Sequence, residues 1–96
     1  IHIRGKDDFT LGRSTKGQTI IPDIDLNPYD AYQAGVSRLH ANIRISGSEI
    51  FIHDMGSVNG TYLNGKRLDA NLEYPVRHGD VLTVGQLKIQ VLMKEE

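Results

Sequence analysis

His40-Ala41-Asn42-Ile43-Arg44-Ile45-Ser46-Gly47-Ser48-Glu49-Ile50-Phe51-Ile52-His53 sets Ala41, Ile43 and Ile45 out of phase with His40, Asn42 and Arg44, then Ile50 and Ile52 out of phase with Phe51 and His53. A two-residue period sends alternate side chains to opposite faces of an extended chain, so each half of the stretch reads as a strand with one apolar face. Ser46-Gly47 between the halves is a turn signal, because glycine reaches turn angles without a Cβ clash.

The pattern recurs outward from this centre. Ile1 and Ile3 alternate with His2 and Arg4, and Leu87, Ile89, Val91 and Met93 alternate with Lys88, Gln90 and Leu92. Asn59-Gly60, Asn64-Gly65 and His78-Gly79-Asp80 fall between the alternating runs, at the short spacing expected of an all-β sandwich. The one helical candidate is Asp30 to Ala34, which Pro28 and Gly35 confine to about one turn, well below the length at which a helix holds itself. It reads as loop. Pro22 to Val36 is then a connection beyond about 12 residues, long enough to suspect a binding role.

Composition narrows the class. Ninety-six residues suffice for one small domain with a single core, here residues 1–96, and a chain that opens at Ile1 inside a strand-like pattern is expected to be a fragment of a longer protein. The absence of cysteine excludes disulfides and thiolate metal sites, and fits a cytoplasmic location. Eleven Lys and Arg against 12 Asp and Glu leave no general attraction to a polyphosphate, so nucleic acid is not an expected partner and any phosphate recognition must be local. No apolar run approaches the roughly 18 residues of a membrane span. His2, His53 and His78 are scattered without metal-ligand spacing, and neither a metal nor a cofactor is expected.

Three phrases lie where alternating runs begin or end: Gly12-Arg13, Ser37-Arg38-Leu39-His40 and Ser57-Val58-Asn59-Gly60-Thr61. Loops on a rigid scaffold are where binding groups are usually presented. Arg13 offers a permanently charged planar fork to two acceptors, which a lysine could not reproduce. Ser37 offers a hydroxyl and a backbone N–H, and Arg38 a second positive charge. With the side-chain amide of Asn59, these groups suit a phosphorylated segment, whose phosphate carries about -1.5 to -2 charges and three strong acceptors.

In spelling and order, Leu11-Gly12-Arg13, Ser37-x-x-His40, Asn59-Gly60-Thr61 and Gly79-Asp80-Val81-Leu82-Thr83-Val84-Gly85 resemble the forkhead-associated (FHA) domain, of a bacterial type. The resemblance spans nearly the whole chain. It implies an antiparallel β-sandwich with binding loops at one end, acting as a phosphothreonine-peptide recognition module in signalling. The partner would be a Thr-phosphorylated protein, a kinase substrate or the parent chain itself, bound by a monomeric domain. The resemblance further implies that Arg13 and Ser37 hold phosphate, with Arg38 beside them, and that Asn59 binds the peptide main chain. Gly12, His40, Gly60 and Thr61 become supports: Gly12 through an unusual backbone turn, His40 by bracing the serine loop with its ring nitrogens. Val58 stands where many members carry a threonine or serine that adds a phosphate contact.

Other readings compete. Taken singly, Arg13 and Arg38 would be ordinary surface arginines, and Ser37 and Asn59 turn residues bonding their own backbone; Asp23 and Asp25 read as turn residues, with a preference for basic peptide residues as a further expectation. A phosphate-independent interaction domain using a sheet face with Tyr62 and Leu63 is the alternative function. Gly60 to Lys66 imitates a P-loop, yet Arg67 replaces the magnesium-holding hydroxyl, and the stretch reads as a hairpin. Gly35-Val36-Ser37-Arg38-Leu39 approaches a nucleophile elbow but lacks its second glycine, so no catalytic residue is assigned.

Overall fold

The computed structural model describes residues 7–19 and 21–93. Nine strands follow in order: β1 (Asp8–Gly12), β2 (Ile24–Asp25), β3 (Leu39–Ser46), β4 (Glu49–Asp54), β5 (Thr61–Leu63), β6 (Lys66–Arg67), β7 (Tyr74–Val76), β8 (Val81–Val84) and β9 (Leu87–Gln90). They form a five-stranded sheet, β2-β1-β3-β4-β7, and a four-stranded sheet, β6-β5-β8-β9. The alternating stretch at 40–53 is the centre of the larger sheet, with Ile43 opposite Ile52 and Ser46 opposite Glu49 across the Gly47 turn.

The apolar faces of both sheets meet in one core. Phe9 and Leu11 of β1, Ala41 of β3, Ile52 of β4 and Leu82 and Val84 of β8 are buried there. Alternation therefore reports the buried face in both sheets. Asn64 (φ 50) and Gly65 (φ 85) close the β5–β6 hairpin with two consecutive positive φ angles, as a two-residue turn between right-twisted strands requires.

Three details depart from the sequence reading. The sandwich is not wholly antiparallel, since β1 and β2 run parallel, with Leu11 opposite Ile24. The connection through residues 13–23 returns the chain in its original direction, an arrangement that alternation cannot reveal. The apolar pattern at 87–93 ends as a strand at Gln90, and Val91 instead exchanges backbone bonds with Gly79 and Asp80 (2.7 and 2.8 Å). The expected strand at Ile1 to Arg4 lies outside the described residues. The connection read as loop from Pro22 to Val36 instead contains β2 and a 3-10 turn, Asn27–Tyr29; within it, Asp30 to Ala34 forms a tight turn and no helix, in keeping with its reading as loop.

Ile52 is fully buried in a central strand, so Ile52→Ala should leave a cavity that the two sheets cannot collapse. We expect it to lower unfolding free energy by about 2–5 kcal/mol in urea titration, with the transition slope unchanged.

Candidate functional site

The three phrases converge at one end of the sandwich, on the end of β1, the β2–β3 connection and the β4–β5 loop. The convergence begins with Gly12. Its φ is not left-handed, and the unusual backbone expected here takes the form of a register shift against β3 between Leu11 and Gly12, at a point of close approach. A Cβ here would lie 1.9 Å from the Arg38 carbonyl oxygen, and only glycine lets β1 run this close to the Ser37-Arg38 backbone. The Arg13 N–H then donates to the Arg38 carbonyl (3.2 Å), and the Leu26 N–H to the Gly12 carbonyl (2.8 Å).

Arg13 is half-buried, and its Nε–H donates to the Val36 carbonyl at 2.7 Å. The guanidinium carbon lies 5.1 Å from the centroid of the Tyr32 ring. Using Nε inward leaves the two terminal nitrogens, the pair that matches a bidentate oxyanion, for an outside ligand. One residue on from that carbonyl, the Ser37 hydroxyl accepts a long bond from the Val58 N–H (3.4 Å), which leaves its own hydrogen to donate elsewhere. The Ser37 backbone N–H, expected to face the same anion, instead donates to His40 Nδ1 at 3.0 Å. The Arg38 side chain is exposed. Asn59 is also exposed, and its amide donates to the Gly35 carbonyl at 2.9 Å, leaving its oxygen and second hydrogen for a ligand. Segment 35–38 is thus held from both sides, by Arg13 and by Asn59.

Beneath it sits His40, with no exposed surface. Because the Ser37 N–H can only donate, Nδ1 accepts and the proton resides on Nε2, which donates to the Gly60 carbonyl at 2.7 Å. One neutral ring therefore ties the serine loop to the asparagine loop. Burial disfavours its charged form and outweighs the Gly60 carbonyl and the nearby Asp54 charge, so its pKa lies below the usual 6.5.

The sequence reading passed over Asp54, at the end of β4. Its carboxylate accepts the hydroxyls of Ser57 and Thr61 (2.7 Å for the latter) and the N–H groups of Gly56 and Ser57 (2.9 and 3.0 Å). Burial opposes ionisation here, but these donors together outweigh it and hold the pKa below 3.8. The Ser57 hydroxyl in turn accepts the Gly60 N–H at 3.0 Å. Thr61, fully buried, thus joins the supporting loop through Asp54. A carboxylate followed by Gly56-Ser57 is the signature of a side chain closing its own turn, and that signal was available in the sequence. Asp23 and Asp25 are likewise engaged within the chain, with Thr10 and with Ser14 and Asn27 respectively.

Val58 is 84% exposed at the loop tip. Among the described residues no group of His, Asp and Glu could hold a metal ion, and no helix is long and apolar enough to cross a membrane. What the arrangement offers chemically is donors: a pinned arginine fork, a hydroxyl and an amide on adjacent loops.

The chain is similar to known proteins over most of its length. A family model described as FHA domain matches residues 9–85. Protein FraH of Nostoc sp. is 40% identical over 93 residues, covering 90% of the chain but 32% of FraH, so the chain spans about a third of that relative. A structure solved in a structural and functional analysis of phosphothreonine-dependent FHA domain interactions superposes with a TM-score of 0.73 at 27% identity, covering 96% of this chain and 82% of the other. The N-terminal FHA domain of S. cerevisiae Rad53p, in complex with a phosphothreonine peptide, gives 0.63 at 28% identity, covering 81% and 56%.

Because His40 is held neutral, the unfolded chain takes up its proton below about pH 6.5 while the folded chain resists, and Asp54 adds the same effect below about 3.8. Stability is therefore full above pH 6.5 and declines on acidification. The urea midpoint should fall as pH drops below about 6.5, with nitrogen NMR reporting a neutral, Nε2-protonated His40 ring at pH 7 that charges only below the usual 6.5; a flat profile, or a ring that charges at or above 6.5, would contradict the assignment.

Proposed function

The chain belongs to the FHA-domain family, and from that premise we propose that it is a non-enzymatic recognition module that docks a phosphothreonine segment of a partner protein. The observation that carries this reading is the pinned Arg13. Its Nε–H is committed to the Val36 carbonyl, which leaves its terminal nitrogens for a ligand at the end of the sandwich that also carries the Ser37 hydroxyl and the Asn59 amide. In this reading Arg13 grips two phosphate oxygens, Ser37 donates to a third, and Asn59 binds the peptide main chain. Arg38 adds long-range attraction from the rim. The preference for phosphothreonine rests on the solved FHA relatives. The partner is a cytoplasmic substrate of a Ser/Thr kinase or a phosphorylated segment of the parent protein.

Three or four charge-assisted hydrogen bonds of about 1.5–3 kcal/mol each do little more than offset an association cost of about 4–15 kcal/mol, so main-chain and flanking contacts must supply the rest of a micromolar complex, on the order of -8 kcal/mol. No general base stands against Ser37: the ring of His40 meets its backbone N–H, and the hydroxyl partner is the Val58 N–H. That geometry supports recognition over hydrolysis.

A degenerate phosphothreonine peptide library should select a consensus sequence, and the same peptide without phosphate should fail to bind. Arg13→Ala should abolish binding in calorimetry while the domain stays folded, with a thermal midpoint lowered by a few degrees because the Val36 carbonyl loses its partner. Unchanged affinity would remove Arg13 from the site, and equal binding of the unphosphorylated peptide would favour the phosphate-independent alternative. Val58→Thr adds a hydroxyl at an exposed tip next to Ser37, and should tighten binding by roughly three- to ten-fold, the net value of one further ordinary hydrogen bond.

A further inference from the structure

Tyr32 is 72% exposed, yet its ring lies against the guanidinium of Arg13, 5.1 Å from centroid to carbon. Core packing does not account for that placement; a local scaffold does. Asp30 adopts a left-handed conformation (φ 58), and its carbonyl accepts the Ala34 N–H at 3.0 Å. The Tyr32 carbonyl accepts the Gly35 N–H at 3.1 Å, and the Ala31 carbonyl accepts the Val36 N–H at 2.9 Å. Ala31, 1% exposed, sinks into the core and fixes how the turn is rotated. Tyr32 is thereby carried outward on a turn whose other product is the Val36 carbonyl that accepts the Nε–H of Arg13. Both constraints on the guanidinium come from the one segment 31–36.

We propose that Tyr32 is a positioning residue of the anion socket, its ring face holding the Arg13 guanidinium flat and shielding it from water so that the terminal nitrogens grip the ligand's phosphate. The inference rests on the phosphopeptide reading above. Aromatic rings attract cations through the negative potential of their faces, and the attraction grows where water is displaced. An arginine already immobilised gives up less rotamer freedom when the ligand arrives, so part of the ordering cost precedes binding. The contact uses the ring and not the hydroxyl. Phenylalanine should therefore serve in its place, and an aliphatic side chain should not.

The probe is the phosphothreonine peptide selected on the unaltered chain, with its unphosphorylated counterpart as blank. Tyr32→Ala should weaken binding roughly five- to thirty-fold, and Tyr32→Phe should stay within about two-fold of the parent. Replacing Tyr32 by phenylalanines carrying one, two and three fluorines should weaken binding in step, because fluorine withdraws the negative potential of the ring face while leaving its shape nearly unchanged. The thermal midpoint should hold throughout, as expected for an exposed side chain. Affinity unchanged in Tyr32→Ala, a loss in Tyr32→Phe equal to that in Tyr32→Ala, or a flat fluorine series would each overturn the proposal. Arg13→Ala separates the two levels: if it abolishes binding while the Tyr32 series is flat, only the role of Tyr32 fails. If binding survives Arg13→Ala, the socket itself is misassigned and this inference falls with it.

Discussion

A neutral imidazole buried between two loops is the interaction on which the binding end depends. His40 accepts from the Ser37 N–H and donates to the Gly60 carbonyl, and each of its ring nitrogens is thereby spent on backbone. Neither bond alone would order a loop, since a typical internal hydrogen bond adds only about 0.5–1.5 kcal/mol. Their value lies in the shared ring, which removes the relative freedom of the segments at Ser37 and Gly60. Burial makes the arrangement exacting: a buried group left without its partner would bear the full cost of its lost hydration.

Around that ring the chain repeats one device, the use of a side chain to satisfy the backbone of a loop that no strand can satisfy. Asp54 gathers the donors of the β4–β5 loop, and Asp25, Ser14 and Asn27 do the same for the segment after Arg13. Loops carry unpaired backbone groups by nature, and a site built on them is only as rigid as the groups that pair them. Among the described residues no buried side-chain nitrogen or oxygen lacks a hydrogen-bond partner. The groups facing outward, the Arg13 fork, the Ser37 hydroxyl and one edge of the Asn59 amide, are what remains once those inward demands are met.

This division also accounts for the mixed character of the predicted site residues. Arg13 and Asn59 each serve inward and outward at once, bracing the Val36 and Gly35 carbonyls while presenting free donors. Ser37 divides by atom, its N–H turned to the histidine and its hydroxyl toward the mouth. Gly12 contributes only by lacking a side chain where two backbones nearly touch.

Alternation at 40–53 and 87–90, with the glycine turns between, was enough to determine an all-β sandwich, because a two-residue period fixes which side chains share a buried face. The phrases containing Arg13, Ser37 and Asn59 pointed to three loops that the fold does bring together at one end of the sandwich. Sequence alone did not disclose the parallel β1–β2 pair, the close approach at Gly12, the direction of the Ser37 N–H or the placement of Tyr32 against Arg13. Each of these is a relation between segments far apart in the chain, settled by how the two sheets pack and where that packing leaves the loops. Periodicity records which face of a strand is buried; which neighbour a backbone atom meets across a loop is a property of the assembled fold.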